Sequence, residues 1–232
     1  NAVDYIGCMS RANLNYILDH NKVDKKKLEI NPNTIDISKY PKKNNSFKKL
    51  KELNLVYGGN LGAPQNPILI SEFISQIELL EDVFLKIIGS GTEFDFLEKY
   101  LQKNKIKKTL ILKSLSKQMY FEELEKADIG LIFLNEKFTI PNYPSRLLDY
   151  LYFDLAIISN TDKNTDITEF IHNNNLGKCF YGFDEIDKMI LEINKFKNKI
   201  NDLNLTKNNS YRALVENFSI DISFNLINDK FV

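Results

Sequence analysis

The sequence predicts an α/β fold, a doubly wound parallel sheet of the Rossmann-like type with a small remnant of a second domain. From Leu53 onward, short apolar strands alternate with single helical segments, the pattern of right-handed crossovers in a parallel sheet. The stretch from Asp128 to Leu134 is nearly all apolar, as in a strand covered on both faces. With 232 residues, 43% of them hydrophobic and 27% charged, the chain has an ordinary globular composition and can bury a large core.

The first part of the chain predicts the remnant and a linker. Tyr5–Met9 is strand-like, Ser10 is a natural N-cap for a helix over Arg11–His20, and Pro32 stops a short strand that starts at Leu28. Residues 35–52 are polar and contain the lysine pairs 42–43 and 48–49, which we interpret as solvated surface rather than a phosphate site. We therefore divide the chain into a remnant (1–34), a linker (35–52) and a Rossmann-like domain with carboxyl-terminal helices (53–232).

Five strands and five helices are predicted in the large domain, followed by a mostly helical region from Asp184. The strands are Leu53–Tyr57, Val83–Ile88, Thr109–Leu112, Asp128–Leu134 and Leu155–Ser159. The helices are Ile68–Leu80, Glu93–Gln102 with Thr92 as its cap, Ser116–Glu125, Tyr143–Tyr152 and Asp166–Asn173.

Composition argues against several classes of function. Thirty-one basic and 31 acidic residues give no net field for nucleic acid, so no nucleic-acid partner is expected. Cys8 and Cys179 cannot form a disulfide framework and predict reduced thiols in a cytoplasmic protein. With His20 and His172 as the two histidines of the chain, neither a metal site nor a Ser-His-Asp hydrolase is expected. Since the chain does not begin with Met, we expect the natural protein to extend upstream.

Two glycine-rich segments follow strands, where an open α/β sheet binds its ligands. Gly58–Gly62 and Gly89–Gly91 permit close approach of a phosphate, although a tight turn explains Gly89–Gly91 equally well. Gly58–Gly62 has neither the spacing of a dinucleotide fingerprint nor the Gly-Lys-Ser/Thr of a P-loop.

The loop over residues 138–146 carries more specific chemistry. It leads into a helix with Ser145 and Arg146 at its start and Asp149 one turn later. Arg146 can fork onto a diphosphate, and Asp149 can accept hydrogen bonds from ribose hydroxyls. The alternative is an ordinary i,i+3 surface pair between Arg146 and Asp149.

Six segments, spread along the chain in the same order, together resemble the carboxyl-terminal half of GT-B glycosyltransferases of family four. They are Ala2–Ser10, Ile30–Asp36, Val56–Gly62, Ile87–Gly91, Glu123–Leu131 and Pro144–Leu151. The similarity is greatest to the enzymes of bacterial capsule and lipopolysaccharide synthesis. It implies a retaining hexosyl transfer from a nucleotide-diphosphate sugar, expected to be a UDP-sugar, to a glycan or lipid-linked acceptor, without a metal or other cofactor.

The resemblance also implies a donor site and a missing partner domain. Donor contacts are expected from Gly58, Gly59, Asn60, Gly89, Gly91, Ser114, Leu115, Ser116, Tyr143, Ser145, Arg146, Leu147 and Asp149. The nucleotide base is expected near Ser114–Ser116, and an upstream acceptor domain is expected to complete the enzyme. This fragment is therefore expected to bind donor without turnover, in the cytoplasm, with any attachment to the inner face of the membrane made through the upstream domain.

Two departures from the family pattern place the chemistry on one residue. Pro141 stands where the family has its first carboxylate, and the uncharged run Ala63–Asn66 replaces an Arg and a Lys. Arg146 is thereby the expected catalytic group, with Lys113, Lys117 and Lys137 as nearby cations. The alternatives are a GT-B-like nucleotide-sugar epimerase, which would need acid and base groups in the cleft, and a non-catalytic nucleotide-sugar-binding module.

Overall fold

The computed structural model describes residues 3–41 and 51–230, and it contains two parallel sheets. The strands are β1 (Ile6–Cys8), β2 (Leu28–Ile30), β3 (Leu53–Asn60), β4 (Val83–Ser90), β5 (Thr109–Leu112), β6 (Ile129–Phe133), β7 (Ala156–Asn160) and β8 (Gly177–Phe180). The helices are α1 (Arg11–His20), α2 (Pro67–Glu78), α3 (Phe94–Lys103), α4 (Lys117–Lys126), α5 (Arg146–Tyr152), α6 (Ile167–Asn173), α7 (Ile186–Asn198), α8 (Ile200–Phe218) and α9 (Ile220–Asn228).

The large sheet has six parallel strands in the order β5-β4-β3-β6-β7-β8, which confirms the doubly wound fold. The direction of winding reverses between β3 and β6, so this pair forms the topological switch point. The prediction lacked β8, an edge strand of four residues whose mixed Gly-Lys-Cys-Phe sequence shows neither alternation nor an apolar run.

A hydrophobic core lies on each face of the large sheet. One core contains the apolar faces of α2 and α7, including Phe73, Ile77 and Ile193. The other contains α4, α5, α6 and the end of α8, including Leu151 and Phe218. Because both faces are covered, the central strand β6 is buried along its whole length.

Residues 3–34 form a small unit in which α1 packs against β1 and β2 around Cys8, Leu14 and Leu28. The chain passes between the two units twice, once at Ile35 and once at Ser219, the residue between α8 and α9. The two passages lie side by side, because Ile35 and Ser219 form a parallel β-bridge. Farther along α9, Ser223 donates to Asn31 of the small unit. Shortly after α9, Lys230 forms an ion pair of 2.9 Å with Glu29.

Several local predictions need correction. The segment 35–41, predicted as linker, packs on the large unit: Ile35 is buried, and Tyr40 stacks on Phe121 with ring centroids 4.8 Å apart. The lysine pairs 42–43 and 48–49 lie outside the described residues. Thr92 does not cap α3, which starts after Glu93 without a side-chain cap, whereas Ser10 and Ser116 do cap α1 and α4 as predicted.

Both cysteines are free, as predicted. Within residues 3–41 and 51–230, no helix has both the length and the apolar character needed to span a bilayer.

Candidate functional site

The strands β3 and β4 continue through their glycines, so the predicted glycine loops begin as paired strand residues. Gly59 lies opposite Gly89 in the parallel ladder. A Cβ on Gly89 would overlap the carbonyl oxygen of Gly59, so this glycine is required by strand packing itself. Likewise, a Cβ on Gly58 would overlap the hydroxyl of Tyr120. Close packing therefore explains Gly58 and Gly89 without a ligand.

Gly59 differs, because its neighbour is a cation. It is exposed, its φ is +127°, and a Cβ there would lie 3.0 Å from Nη2 of Arg146. The absence of a side chain at Gly59 thus keeps the guanidinium of Arg146 in contact with open backbone at the end of β3.

Arg146 is the first residue of α5, which begins three residues later than the predicted helix start at Tyr143. Its Cζ lies 4.4 Å from the centre of the Tyr57 ring, and the Tyr57 hydroxyl donates to the carbonyl of Asn60 at 2.6 Å. The side chain of Arg146 is half-buried against this ring.

The positive charge of Arg146 has no acidic partner among the described residues. Its Nη1 is buried and has no hydrogen-bond partner among the described residues. None of the ion pairs in that part of the chain includes Arg146, and the alternative pairing with Asp149 is not formed there. A guanidinium with a buried, unpaired nitrogen and no counter-charge is costly, and an anion bound beside Gly59 would remove that cost.

Tyr150 bridges β3 and β6 at the switch point through its hydroxyl group. The ladder between β3 and β6 pairs residues 55 with 129 and 56 with 130. Beyond it, the Tyr150 hydroxyl accepts from the Gly58 N–H at 2.8 Å and donates to the Leu131 carbonyl at 3.2 Å. Gly130 leaves room for the ring, and burial raises the pKa of Tyr150, so the phenol stays protonated. Sequence reasoning missed this role, although Tyr150 follows Asp149 in the segment that carries the family resemblance.

Asp149 already has a partner. The hydroxyl of Tyr40 donates to its Oδ1 at 2.6 Å, and the Nζ of Lys117 lies 5.0 Å from the centre of the Tyr40 ring. Burial raises the pKa of Asp149. The carboxylate thus lies near the start of α4, next to the segment that was predicted to bind the base.

Three more of the predicted residues lie in the loops at this edge of the sheet. Ser114 donates from its hydroxyl to that of Ser90 at 3.0 Å and so joins the loops after β4 and β5. The Asn60 amide donates to Oε1 of Gln65 at 2.9 Å, and Gly91 has a φ of +150°. Sequence reasoning missed Gln65, a buried polar residue that also accepts from the Gly62 N–H at 3.1 Å and orders the loop after β3.

Four predicted residues have less direct access to this edge. The Ser116 hydroxyl accepts from the Met119 N–H as a cap, and Leu115 packs on the core. Ser145 is exposed. Leu147 is fully buried, so a ligand could reach no more than the backbone of Leu147.

Tyr143 stays a predicted donor contact, and the structure places it at the border of the two units. Its ring packs on Phe170 and Phe218 and lines a separate cavity of about 290 Å³ between the two units. The loop that carries it is tied to the small unit, because the Asn13 amide donates to the Pro141 carbonyl at 2.8 Å. Among the described residues, no group of three or more His, Cys, Asp or Glu side chains is placed to hold a metal ion.

No protein-family model matches the sequence, and no curated protein matches it either. Solved structures do share its fold. HepE from Anabaena, in complex with UDP-glucose, superposes with a TM-score of 0.78 at 11% identity over 98% of this chain and 63% of that one. TarM from S. aureus, in complex with UDP, Fondaparinux and alpha-GlcNAc-glycerol, gives 0.74 at 13% identity over 97% and 43%.

A third similar structure is WaaG, a glycosyltransferase involved in lipopolysaccharide biosynthesis. It gives a TM-score of 0.69 at 13% identity, with 90% of this chain and 57% of that one covered. The chain therefore has the fold of GT-B glycosyltransferases and spans less than two thirds of the length of each of these proteins.

Proposed function

We propose that this chain is the donor-binding part of a GT-B glycosyltransferase that transfers a hexose from a UDP-sugar. The observation that carries the proposal is the guanidinium of Arg146, which lies against Gly59 at the switch point of the sheet and has no acidic partner among the described residues. The fold supports it, since HepE and TarM, which share the fold, were crystallised with UDP or a UDP-sugar. The acceptor is a glycan or lipid-linked sugar of bacterial surface polysaccharide synthesis, as the resemblance to family four implies.

Arg146 acts on the leaving group. As the bond between the sugar and the β-phosphate breaks, negative charge develops on the diphosphate, and two N–H groups of a guanidinium can bind two of its oxygens. The guanidinium packs on the face of the Tyr57 ring, which helps to hold it in place. In a retaining transfer of this kind the departing phosphate accepts the proton of the acceptor hydroxyl, so the site needs no separate protein base.

Asp149 and the loop at 114–116 complete the nucleotide site in this proposal. The ribose diol donates hydrogen bonds to the carboxylate of Asp149. It either replaces the hydroxyl of Tyr40 there or binds the carboxylate together with it. The base lies along Ser114–Ser116, whose position is held by the hydrogen bond between Ser114 and Ser90.

An acceptor domain outside this chain supplies the other wall of the cleft. We place the whole protein in the cytoplasm, and we expect this chain alone to bind the donor nucleotide without sugar transfer.

Titration of the chain with UDP and with uridine, followed by calorimetry, tests the proposal. If Arg146 binds the diphosphate, UDP should bind at least tenfold more tightly than uridine, and Arg146→Met should remove most of this difference. Equal affinities for UDP and uridine would contradict it.

A second candidate is a non-catalytic nucleotide-sugar-binding module. It is favoured by Pro141, which occupies the place of the family's first carboxylate and is itself buried. Assay of the chain together with its upstream domain separates the two. Release of UDP from a UDP-sugar, lost in Arg146→Met, supports the enzyme. Tight UDP binding without any release supports the module.

A further inference from the structure

Tyr120 is a partly exposed tyrosine on α4 to which the donor site described above assigns no role. It lies one turn after the helix cap, since the N–H of Tyr120 donates to the Ser116 carbonyl at 2.9 Å. Its ring packs on the core beside Phe121, and its hydroxyl reaches β3, where it fills the space that a side chain at Gly58 would need. This hydroxyl has no hydrogen-bond partner among the described residues.

The Tyr120 hydroxyl is a protonated donor at neutral pH. Burial raises the pKa of Tyr120 well above its ordinary value, and the nearby carboxylate of Asp149 raises that pKa further. The hydroxyl is also within electrostatic range of the Arg146 guanidinium, so it lies among the groups that we assign to the donor nucleotide. A proton donor in this place is free to form a hydrogen bond with a bound ligand.

Tyr120 lies between the two ends of the proposed nucleotide site. On one side is the segment 114–116, assigned to the base, which directly precedes α4. On the other side are Gly58 and Gly59 at the end of β3, and Arg146, assigned to the diphosphate, lies against Gly59. In a nucleoside diphosphate the ribose joins the base to the phosphates. The ribose of a nucleotide bound in this way therefore lies beside the hydroxyl of Tyr120.

Packing alone does not account for the hydroxyl of Tyr120. A phenylalanine would make the same ring contacts with the core, and a largely buried hydroxyl without a partner costs free energy in the ligand-free protein. The ionised carboxylate of Asp149 accepts hydrogen bonds and cannot donate them, whereas Tyr120 has a proton to donate. A ribose hydroxyl matches this pair, because it donates one hydrogen bond and accepts another.

We propose that Tyr120 and Asp149 bind one hydroxyl of the ribose between them and so make the site selective for ribonucleotides over deoxyribonucleotides. The Tyr120 hydroxyl donates to the oxygen of this ribose hydroxyl, which in turn donates to the carboxylate of Asp149. A deoxyribose leaves both protein groups unpaired, and a site with such groups discriminates strongly against an analogue that lacks the hydroxyl. This inference rests on the proposed function, because it takes the ligand to be a nucleoside diphosphate.

Calorimetric titration with UDP, 2′-deoxy-UDP and 3′-deoxy-UDP tests this inference. The parent should bind one of the two deoxy analogues at least about tenfold more weakly than UDP. Tyr120→Phe should weaken UDP binding about threefold to tenfold and leave the binding of that analogue unchanged, since the analogue lacks the hydroxyl that Tyr120 binds. Tyr16→Phe is the matched control, because it removes the hydroxyl of another partly exposed tyrosine, on α1, and it should change none of the affinities.

Ligand-free Tyr120→Phe should unfold at the temperature of the parent or above it, because the substitution removes no internal hydrogen bond. Three results would overturn the inference: a less stable variant that binds UDP like the parent, an equal loss of affinity for all three nucleotides, or a parent that binds both deoxy analogues as tightly as UDP. Each of them leaves the proposed function standing if UDP still binds more tightly than uridine. Equal affinities for UDP and uridine would contradict the proposed function itself.

Discussion

Replacing Arg146 by Met should stabilise the ligand-free protein and weaken its binding of UDP. Nη1 of Arg146 is buried without a partner, and a buried unsatisfied donor costs about 1–3 kcal/mol. Met keeps much of the side-chain length and exchanges the contact of the cation with Tyr57, worth about 0.5–2 kcal/mol, for a sulfur–aromatic contact of about 0.3–1.5 kcal/mol. We therefore expect the ligand-free variant to be more stable than the parent by about 1 kcal/mol, which raises its Tm by about 2–4 °C.

The order should reverse when UDP is present. Loss of a charged hydrogen bond weakens binding by about 1.5–3 kcal/mol, or about 10- to 150-fold. At a UDP concentration 100 times the parent's Kd, the parent gains about 2.7 kcal/mol, whereas a variant with 100-fold weaker affinity gains about 0.4 kcal/mol. The variant thus melts higher without UDP and lower with it.

Thermal unfolding with and without UDP, combined with calorimetric titration, measures both effects. Arg212→Met is the matched control, since Arg212 is exposed on α8, and it should change neither quantity. A ligand-free Arg146→Met protein that is clearly less stable than the parent, with unchanged UDP affinity, would refute the reasoning, because Arg146 would then be a structural residue.

Three further substitutions test the residues that surround Arg146 and Gly59. Tyr150→Phe leaves the Gly58 N–H without its acceptor and should lower the free energy of unfolding by about 1–3 kcal/mol in urea denaturation. Gly89→Ala places a Cβ against the Gly59 carbonyl and should cost about 3 kcal/mol or prevent folding, as circular dichroism would show. Burial raises the pKa of Asp149 above that of an unfolded aspartate, about 3.9, so parent stability should fall as pH rises through the interval between the two values. The stability of Asp149→Asn relative to the parent should increase as pH rises through that interval and stay constant below it, as unfolding curves recorded at different pH values would show.

Each of these has its own control and contrary result. Tyr5 is half-exposed, so Tyr5→Phe should leave stability unchanged, and an equally neutral Tyr150→Phe would remove Tyr150 from the switch point. A fully stable Gly89→Ala would mean that the ladder between β3 and β4 opens there. A pH-independent difference between Asp149→Asn and the parent would show that the raised pKa does not act on folding.

The arrangement of the large domain could be predicted because its signals are local and repeated. Apolar runs of four to seven residues alternate with helical periodicity, and the resulting crossovers leave few topologies. The edge strand β8 was missed because three of its four residues are not buried, and the start of α5 was placed too early because Tyr143 continues an apolar pattern. The docking of residues 35–41 depends on the stacking of Tyr40, a tertiary contact that polar composition does not reveal.

The candidate site could be predicted in part. Arg146 and Gly59 were identified from residue type and from their positions after strands, and the structure places them in contact. Tyr143 was assigned to the donor site through the family resemblance, and the structure shows its ring packed against Phe218. Tyr150 acts through hydrogen bonds to the backbone of Gly58 and Leu131, which are distant in sequence, and no motif encodes such contacts. Gln65 instead bonds within its own loop, to the Gly62 N–H and the Asn60 side chain, and its residue type alone did not reveal this role.

The position of the diphosphate tests the central claim most directly. A crystal structure of the chain with UDP should place oxygens of the β-phosphate about 2.7–2.9 Å from the guanidinium nitrogens of Arg146, above Gly59 and at the end of β3. A diphosphate bound elsewhere on the chain, with Arg146 still unpaired, would contradict the account.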